Sequence, residues 1–382
     1  MSFRQQVKKN VPRVNLQSYN VLVAGGFKSG KTRLWKEVME LHYPDNPDAG
    51  LLLAFEDGYT TWELESYVDM HSKDWEFFKN EVVKGLVEEA KTGDTITKVI
   101  GIDTIDRMMQ KAEDYILRKM SKKLGKNLTS LQDITQTSQT DNGYIMLKQE
   151  VWKQLDILKN AGYGFFWLGW TKEKETTTLD GLKFNSIELA LSKTGRDIFE
   201  SQAHLIVCLF NEVKVLDKEG NEIDHNATAK SGRELASNFH STETVMYFRP
   251  SSYINIAGGR FTNLPEKVSY SAENFLNVFE DAVKAQLKKT DTNIQQLSLS
   301  QQQESNRKSK EYAKEQVKII EQESVSVDDI IKQIDTKLTQ FDNQSKALIG
   351  QQFKGLFNGN ANYRKITDIE QLKQALEIVN NI

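Results

Sequence analysis

Residues 21–32 read VLVAGGFKSGKT, an apolar run of strand character that passes at once into a glycine-rich turn ending in Lys-Thr. Gly25, Gly26, Phe27, Lys28, Ser29, Gly30, Lys31 and Thr32 form a complete phosphate-binding loop. Its glycines permit positive φ and close approach, so successive N–H groups can surround an anion while the following helix adds the partial positive charge of its N-terminus. Lys31 is placed to reach the β- and γ-phosphates of a nucleoside triphosphate, and Thr32 to ligate magnesium. The cofactors expected are therefore ATP and Mg2+, with the base of the nucleotide left open.

Outward from this loop, short apolar runs alternate with amphipathic stretches. The runs at 19–24, 51–55, 98–103, 164–170 and 204–209 are nearly all apolar, as strands covered on both faces must be. Helical patterns at 32–41, 74–92, 104–124 and 144–161 separate the first four of them. This alternation predicts an α/β fold with a mainly parallel sheet. The segments 213–223 and 244–256 read as an antiparallel extension, and a helix over 271–287 closes the domain.

Residues 286–324 are rich in Gln, Lys, Ser and Glu and poor in large apolar side chains, so a flexible linker is expected. A small all-α module should follow at 325–382. There Ile330, Ile331, Ile334, Leu338 and Phe341 share a helical face, and Thr367 to Glu370 reads as a capping box. The expected organisation is a basic arm (1–13, with Arg4, Lys8, Lys9 and Arg13), a core (14–285), a linker and the module.

Composition narrows the function classes. The 382 residues carry 50 Lys and Arg against 53 Asp and Glu, a net charge of -3, so polyanion binding must come from local patches. The single cysteine, Cys208, lies in an apolar run and cannot form an intrachain disulfide, and five histidines scattered without ligand spacing argue against a zinc site. No stretch reaches the roughly 18–20 apolar residues of a membrane span, and residues 1–13 have no secretory apolar region. A soluble cytoplasmic protein without membrane contact is expected.

A phosphate loop alone hydrolyses nothing: magnesium needs a second anchor and water needs a base. Asp103, ending the run at 98–103, is the candidate anchor, with Asp106 as the competing carboxylate. Glu56, following the run at 51–55, is the candidate base, with Asp57 beside it. An ordinary turn at Glu56-Asp57-Gly58 is the plainer alternative.

The order of phosphate loop, Glu56, Asp103, polar segment, helix and strand with a second polar segment resembles the RecA-type ATPase core. Gly25 to Thr32, Glu56, Ile102-Asp103-Thr104, residues 164–172 and 258–265 resemble, more closely, the phage RecA-like proteins of the Sak single-strand annealing class. That resemblance implies a DNA-stimulated, Mg-dependent ATPase acting as a homo-oligomer, ring or filament, on single-stranded DNA in recombination or annealing, in the host cytoplasm for a phage-encoded chain. It places DNA at two loops, 125–143 and 171–197. The first offers Lys126, and the second Lys172, Lys174, Lys183, Lys193 and Arg196, with Asp180-Gly181 suggesting a hairpin. Where the family carries a polar sensor of the γ-phosphate, this chain has Trp170 followed by Thr171. Arg260 is the candidate for reaching a neighbouring subunit's phosphates, with a salt-bridged surface arginine as its alternative. A loader or adaptor that docks a replication or recombination protein through the C-terminal module is the other functional reading.

Overall fold

The apolar runs become strands, and their burial sets their order. The structure, a computed structural model, describes residues 7, 10–138, 140–177, 180–181, 183–216, 239–287, 293–323, 327–357, 359–366 and 368–381. Its strands are β1 (Asn20–Gly25), β2 (Gly50–Ala54), β3 (Tyr67–Asp69), β4 (Val99–Asp103), β5 (Gly164–Thr177), β6 (Lys183–Leu189), β7 (Leu205–Leu216), β8 (Phe239–Tyr247), β9 (Gly258–Gly259) and β10 (Lys267–Ser269). The helices are α1 (Lys31–His42), α2 (Trp75–Phe77), α3 (Lys84–Ala90), α4 (Ile105–Leu124), α5 (Leu131–Thr137), α6 (Gly143–Asn160), α7 (Lys193–Gln202), α8 (Ala272–Gln286), α9 (Ile294–Glu323), α10 (Val327–Leu338), α11 (Asn343–Leu356) and α12 (Ile369–Asn380).

The sheet runs β10-β8-β7-β1-β5-β4-β2-β3. From β7 to β3 every pairing along that path is parallel, whereas β8 and β10 add an antiparallel edge. This is the expected α/β architecture. β1 is buried at all six positions because it lies mid-sheet with helices on both faces. On one face Leu34, Trp35 and Val38 of α1 and Phe275 and Phe279 of α8 pack with Val21, Val23, Phe166 and Val207. On the other face Trp167 meets Phe199 of α7 edge-on at 5.1 Å.

Two segments depart from expectation, and a third holds the expected hairpin. Residues 125–143, expected as an open polar loop, contain α5, capped by Ser130 and Asp133 in a reciprocal box and held by buried Leu128, Leu131 and Ile134. Residues 171–197 form a hairpin in which β5 runs seven residues past Trp170 to pair with β6, Thr171 opposite Leu189 and Thr177 opposite Lys183. Gly181 in its turn has φ +82°, as the Asp180-Gly181 pair suggested.

The second departure is residues 286–324, expected as a flexible linker: α9 fills most of them. Composition misleads there because many of the contacts are polar, beside the buried Ala313 and Val317. Gln301, 8% exposed, donates through Nε2 to the Pro12 carbonyl at 2.8 Å and accepts from the Val14 N–H at 3.1 Å. Lys310 donates to the Thr92 carbonyl at 3.0 Å, and Ser309 lies so close to Gly162 that a Cβ added there would collide with the serine hydroxyl. The same contacts hold Pro12 and Arg13 at the end of the basic arm, while Arg4, Lys8 and Lys9 lie outside the described residues. The chain divides into two compact units between Lys314 and Glu315.

The second unit has its own core of Ile330, Ile334, Ile349, Phe353, Phe357, Leu372, Ala375 and Val379, with Ile331, Leu338 and Phe341 packed against it. The capping-box reading at Thr367 falls outside the described residues.

Gln301→Ala leaves two backbone groups without their partner and should lower unfolding free energy by about 1–3 kcal/mol in a urea titration. An unchanged midpoint would mean that the start of α9 is not docked.

Candidate active site

Parallel strands end on one edge of the sheet, and the register decides which residues meet there. Gly25 lies opposite both Trp170 and Leu209, Ala54 opposite Asp103, and Asp103 opposite Leu168. The phosphate loop, Glu56, Asp103 and Trp170 therefore converge. They line one cleft of about 550 Å³ together with Thr104, Trp62, Thr244 and Tyr270.

The loop has the backbone its sequence promises. Gly30 has φ +92°, and a Cβ on Gly25 would collide with the Ser29 hydroxyl oxygen, so neither position accepts a side chain without rearrangement. Lys31 is 7% exposed, and its ammonium donates to the carbonyls of Gly25 at 3.0 Å and Gly26 at 2.9 Å. Burial pulls its pKa down, opposed by the nearby Asp103 and Glu56 carboxylates. Tyr270 closes the loop from the far side, donating to the Gly30 carbonyl at 2.9 Å with the Arg33 guanidinium 5.7 Å from its ring centre. Burial raises the Tyr270 hydroxyl to about 12.

The anchor reading distinguishes the two aspartates. The Thr32 hydroxyl donates to Asp103 Oδ2 at 2.5 Å, so both expected magnesium ligands stand together. Burial raises the Asp103 carboxyl to about 6, with the Thr32 hydrogen bond and Lys31 working in the opposite direction and Glu56 adding to the rise. Asp106 turns elsewhere: its Oδ2 accepts the Trp170 backbone N–H at 2.9 Å, fixing the end of the buried part of β5. The set of a hydroxyl and a carboxylate, all oxygen, beside a cradle of backbone amides fits a hard divalent cation that keeps phosphate oxygens among its ligands.

Glu56 faces the cleft and accepts a hydrogen bond from the Thr104 hydroxyl. Its backbone N–H, like that of Phe55, donates to the Asp103 carbonyl, at 3.2 Å and 2.6 Å. Asp57 has a side chain 68% exposed, 3.8 Å from His71, and does not line the cleft. Of the two candidate bases, Glu56 lines the cleft and Asp57 does not.

Trp170 lines the same cleft, tilted against Phe27 of the loop at 4.8 Å between ring centres and lying 5.6 Å from the Arg107 guanidinium. Thr171 instead lines a smaller cavity of about 250 Å³ behind the loop. Arg260 is not part of this cleft. Its neighbour Gly259 pairs with Leu205, four residues before the Leu209 level of the loop and so about 13 Å away along the strand. Its guanidinium donates to the Ser201 carbonyl at 2.7 Å, with no carboxylate partner among the described residues.

The six basic residues assigned to the two loops fall into two groups. Lys174 and Arg196 both pair with Glu188, at 3.0 Å and 2.7 Å, and Lys183 pairs with Glu175 at 2.8 Å. Lys126, Lys172 and Lys193 have no ion-pair partner shown among the described residues and are exposed. Sequence reading missed Thr104, although it adjoins Asp103, and Tyr270, for which a lone tyrosine 240 residues from Gly30 gives no signal.

Among the described residues no helix is long and apolar enough to cross a membrane. No curated protein matches the chain. A KaiC-like protein from the hyperthermophilic archaeon Pyrococcus horikoshii OT3 resembles it at 14% identity and a TM-score of 0.33, over 69% of this chain and 100% of that one. Residues 17–261, more than half of the chain and including every residue of the cleft except Tyr270, match the AAA domain family. The chain belongs to that family, and its core is a P-loop ATPase domain on a mainly parallel sheet.

Proposed function

We propose that this core is a Mg-dependent ATPase stimulated by single-stranded DNA, working as a homo-oligomer in recombination or strand annealing of the phage Sak type. The observation that carries the hydrolytic part is the pairing of Thr32 with Asp103 in the cleft where Glu56 is held. Thr32 and Asp103 would hold magnesium, which when bound neutralises charge on the β- and γ-phosphates. Lys31 exchanges the two loop carbonyls for phosphate oxygens. Glu56 orients a water whose oxygen bonds to the γ-phosphorus as the bond to the bridging oxygen breaks. ADP leaves with that electron pair, and the water's proton passes to the Glu56 carboxylate.

The DNA part rests on the hairpin that leaves the sheet beside the cleft and on Lys126, Lys172 and Lys193, cations with no acidic partner shown. Its few aromatic side chains favour contact with phosphates over base stacking, so binding should weaken steeply with salt. Arg260 lies outside its own chain's cleft, so a role at the phosphates would require a second copy. The C-terminal unit, with a core of its own, suits a docking role for a replication or recombination protein.

Glu56→Gln should keep nucleotide affinity and lose about 10²-fold in hydrolysis, while Lys31→Ala loses nucleotide retention itself. Normal turnover by Glu56→Gln would move the base to another residue.

Asp103 adds a pH signature. Its carboxyl is raised in the fold, so between about 4 and 6 the folded state holds a proton that the unfolded chain has released, and the nucleotide-free protein loses stability as pH rises through that window. Magnesium needs the ionised form. Calorimetric affinity for Mg-nucleotide should therefore fall as pH drops below about 6, and a flat profile would exclude Asp103 as the anchor.

For DNA, replacing Lys126, Lys172 and Lys193 by Ala should reduce the slope of log affinity against log salt by about 0.7 for each phosphate no longer neutralised. The same change at Lys174, Lys183 and Arg196, whose charges already face glutamates, should reduce it less; the reverse ranking would place the DNA along the paired face of the hairpin.

A further inference from the structure

The end of β4 carries two polar residues in succession, and each grips a different part of the cleft. Asp103 accepts from Thr32, on the loop side. Thr104, the next residue, donates its hydroxyl to Glu56 Oε1, on the side where the attacking water is needed. Thr104 is 1% exposed yet lines the cleft, and Glu56 is the partner found for its hydroxyl among the described residues. Glu56 is only half-buried and follows a strand that ends at Ala54, so its own strand does not fix its side chain.

We propose that Thr104 is a positioning residue for hydrolysis: its buried hydroxyl holds the Glu56 carboxylate over the γ-phosphate side of the cleft, in register with the Asp103 anchor. This rests on the reading of Glu56 as the base and adds the device that aims it. A carboxylate on a mobile side chain loses much of its value as a base, because a displacement of about 1 Å can reduce rate by as much as 10²-fold. The backbone already fixes the Glu56 N–H to the Asp103 carbonyl, so one further bond at the carboxylate end defines the side chain from both ends. Thr104 is a natural place for that bond. A β-branched residue has a restricted χ1, and burial keeps water from competing for its donor. The hydroxyl's hydrogen bond among the described residues goes to Glu56 and not to the phosphate loop, so on this proposal its loss acts on the hydrolytic step and leaves nucleotide binding in place.

The test is steady-state hydrolysis and nucleotide affinity for the full chain carrying Thr104→Val, Thr104→Ala or Thr104→Ser, with Glu56→Gln as reference. Valine keeps the shape and removes the donor, alanine guards against a misfolded valine variant, and serine keeps the donor. Thr104→Val and Thr104→Ala should lower kcat about tenfold with KM and nucleotide affinity within about twofold of the parent, and Thr104→Ser should recover most of the rate. Parental kcat in the valine or alanine variant, with Glu56→Gln slow, overturns the positioning role and leaves the base reading intact. A rise in KM shared by all three variants overturns it as well, since that is the mark of a purely structural residue. Parental turnover by Glu56→Gln removes the base reading and this proposal with it.

Discussion

The strand register is the constraint on which the site depends. In a sheet whose side chains alternate between faces, a slip of one residue would turn Asp103 away from Thr32 and bring Ile102 to the edge in its place. The core prevents that slip because β1, β4 and the first half of β5 are buried on both faces, and any shift would move a whole set of large apolar side chains out of their fitted positions. Trp35 of α1 and Phe275 of α8, both packed on Phe166 at 5.5 Å and 5.7 Å, lock the same layer from above. The chemistry at the edge is thus held by apolar packing well behind it.

At that edge, burial works on groups of both signs. It pulls the Lys31 ammonium down and pushes the Asp103 and Asp106 carboxyls up, so burial there disfavours each of these three charges. Each group has found a local partner: Lys31 two loop carbonyls, Asp103 the Thr32 hydroxyl, Asp106 the Trp170 N–H and Glu56 the Thr104 hydroxyl. These are replaceable hydrogen bonds in place of direct ion pairs. On the proposed function, a dication with its polyphosphate would supply the missing charges as a set, and would displace hydroxyl and carbonyl partners without breaking a salt bridge first.

How much was legible follows from range in sequence. Residues 21–32 announced β1, the loop and α1 because all the determinants are local: an apolar run, glycines at the turn, and Lys-Thr at the helix start. Asp103 and Glu56 could be singled out because each carboxylate stands at or just past the end of an apolar run, although turn chemistry gives Glu56 a plainer reason to be there. The opposite holds for α9. Its anchors Gln301 and Ser309 are polar residues that dock on Pro12, Val14 and Gly162, almost 290 or almost 150 positions distant, and no local pattern predicts such a partner. The segment 125–143 was misread for a different reason: the Ser130-Asp133 box and the Leu131-Ile134 pair were present, but a rich polar composition masks them. Basic residues on the hairpin could be counted in the sequence; that Glu188 faces two of them needed the pairing of β5 with β6.

The hairpin and the cleft wall are one piece of backbone. β5 is buried from Gly164 to Gly169 and becomes exposed beyond Trp170, yet the strand continues without interruption into the arm paired with β6. At the transition, Asp106 holds the Trp170 N–H while the Trp170 ring rests against Phe27 of the phosphate loop. On the other strand, the Ala190 N–H donates to the Trp170 carbonyl at 2.8 Å, so both peptide groups of Trp170 are fixed, one toward α4 and one toward β6. A polar sensor at this position would feel the γ-phosphate through a single hydrogen bond. Here an aromatic ring packs against the loop instead, with its backbone tied to α4 and to the strand end after β6, so residue 170 joins the loop to the base of the arm by van der Waals contact.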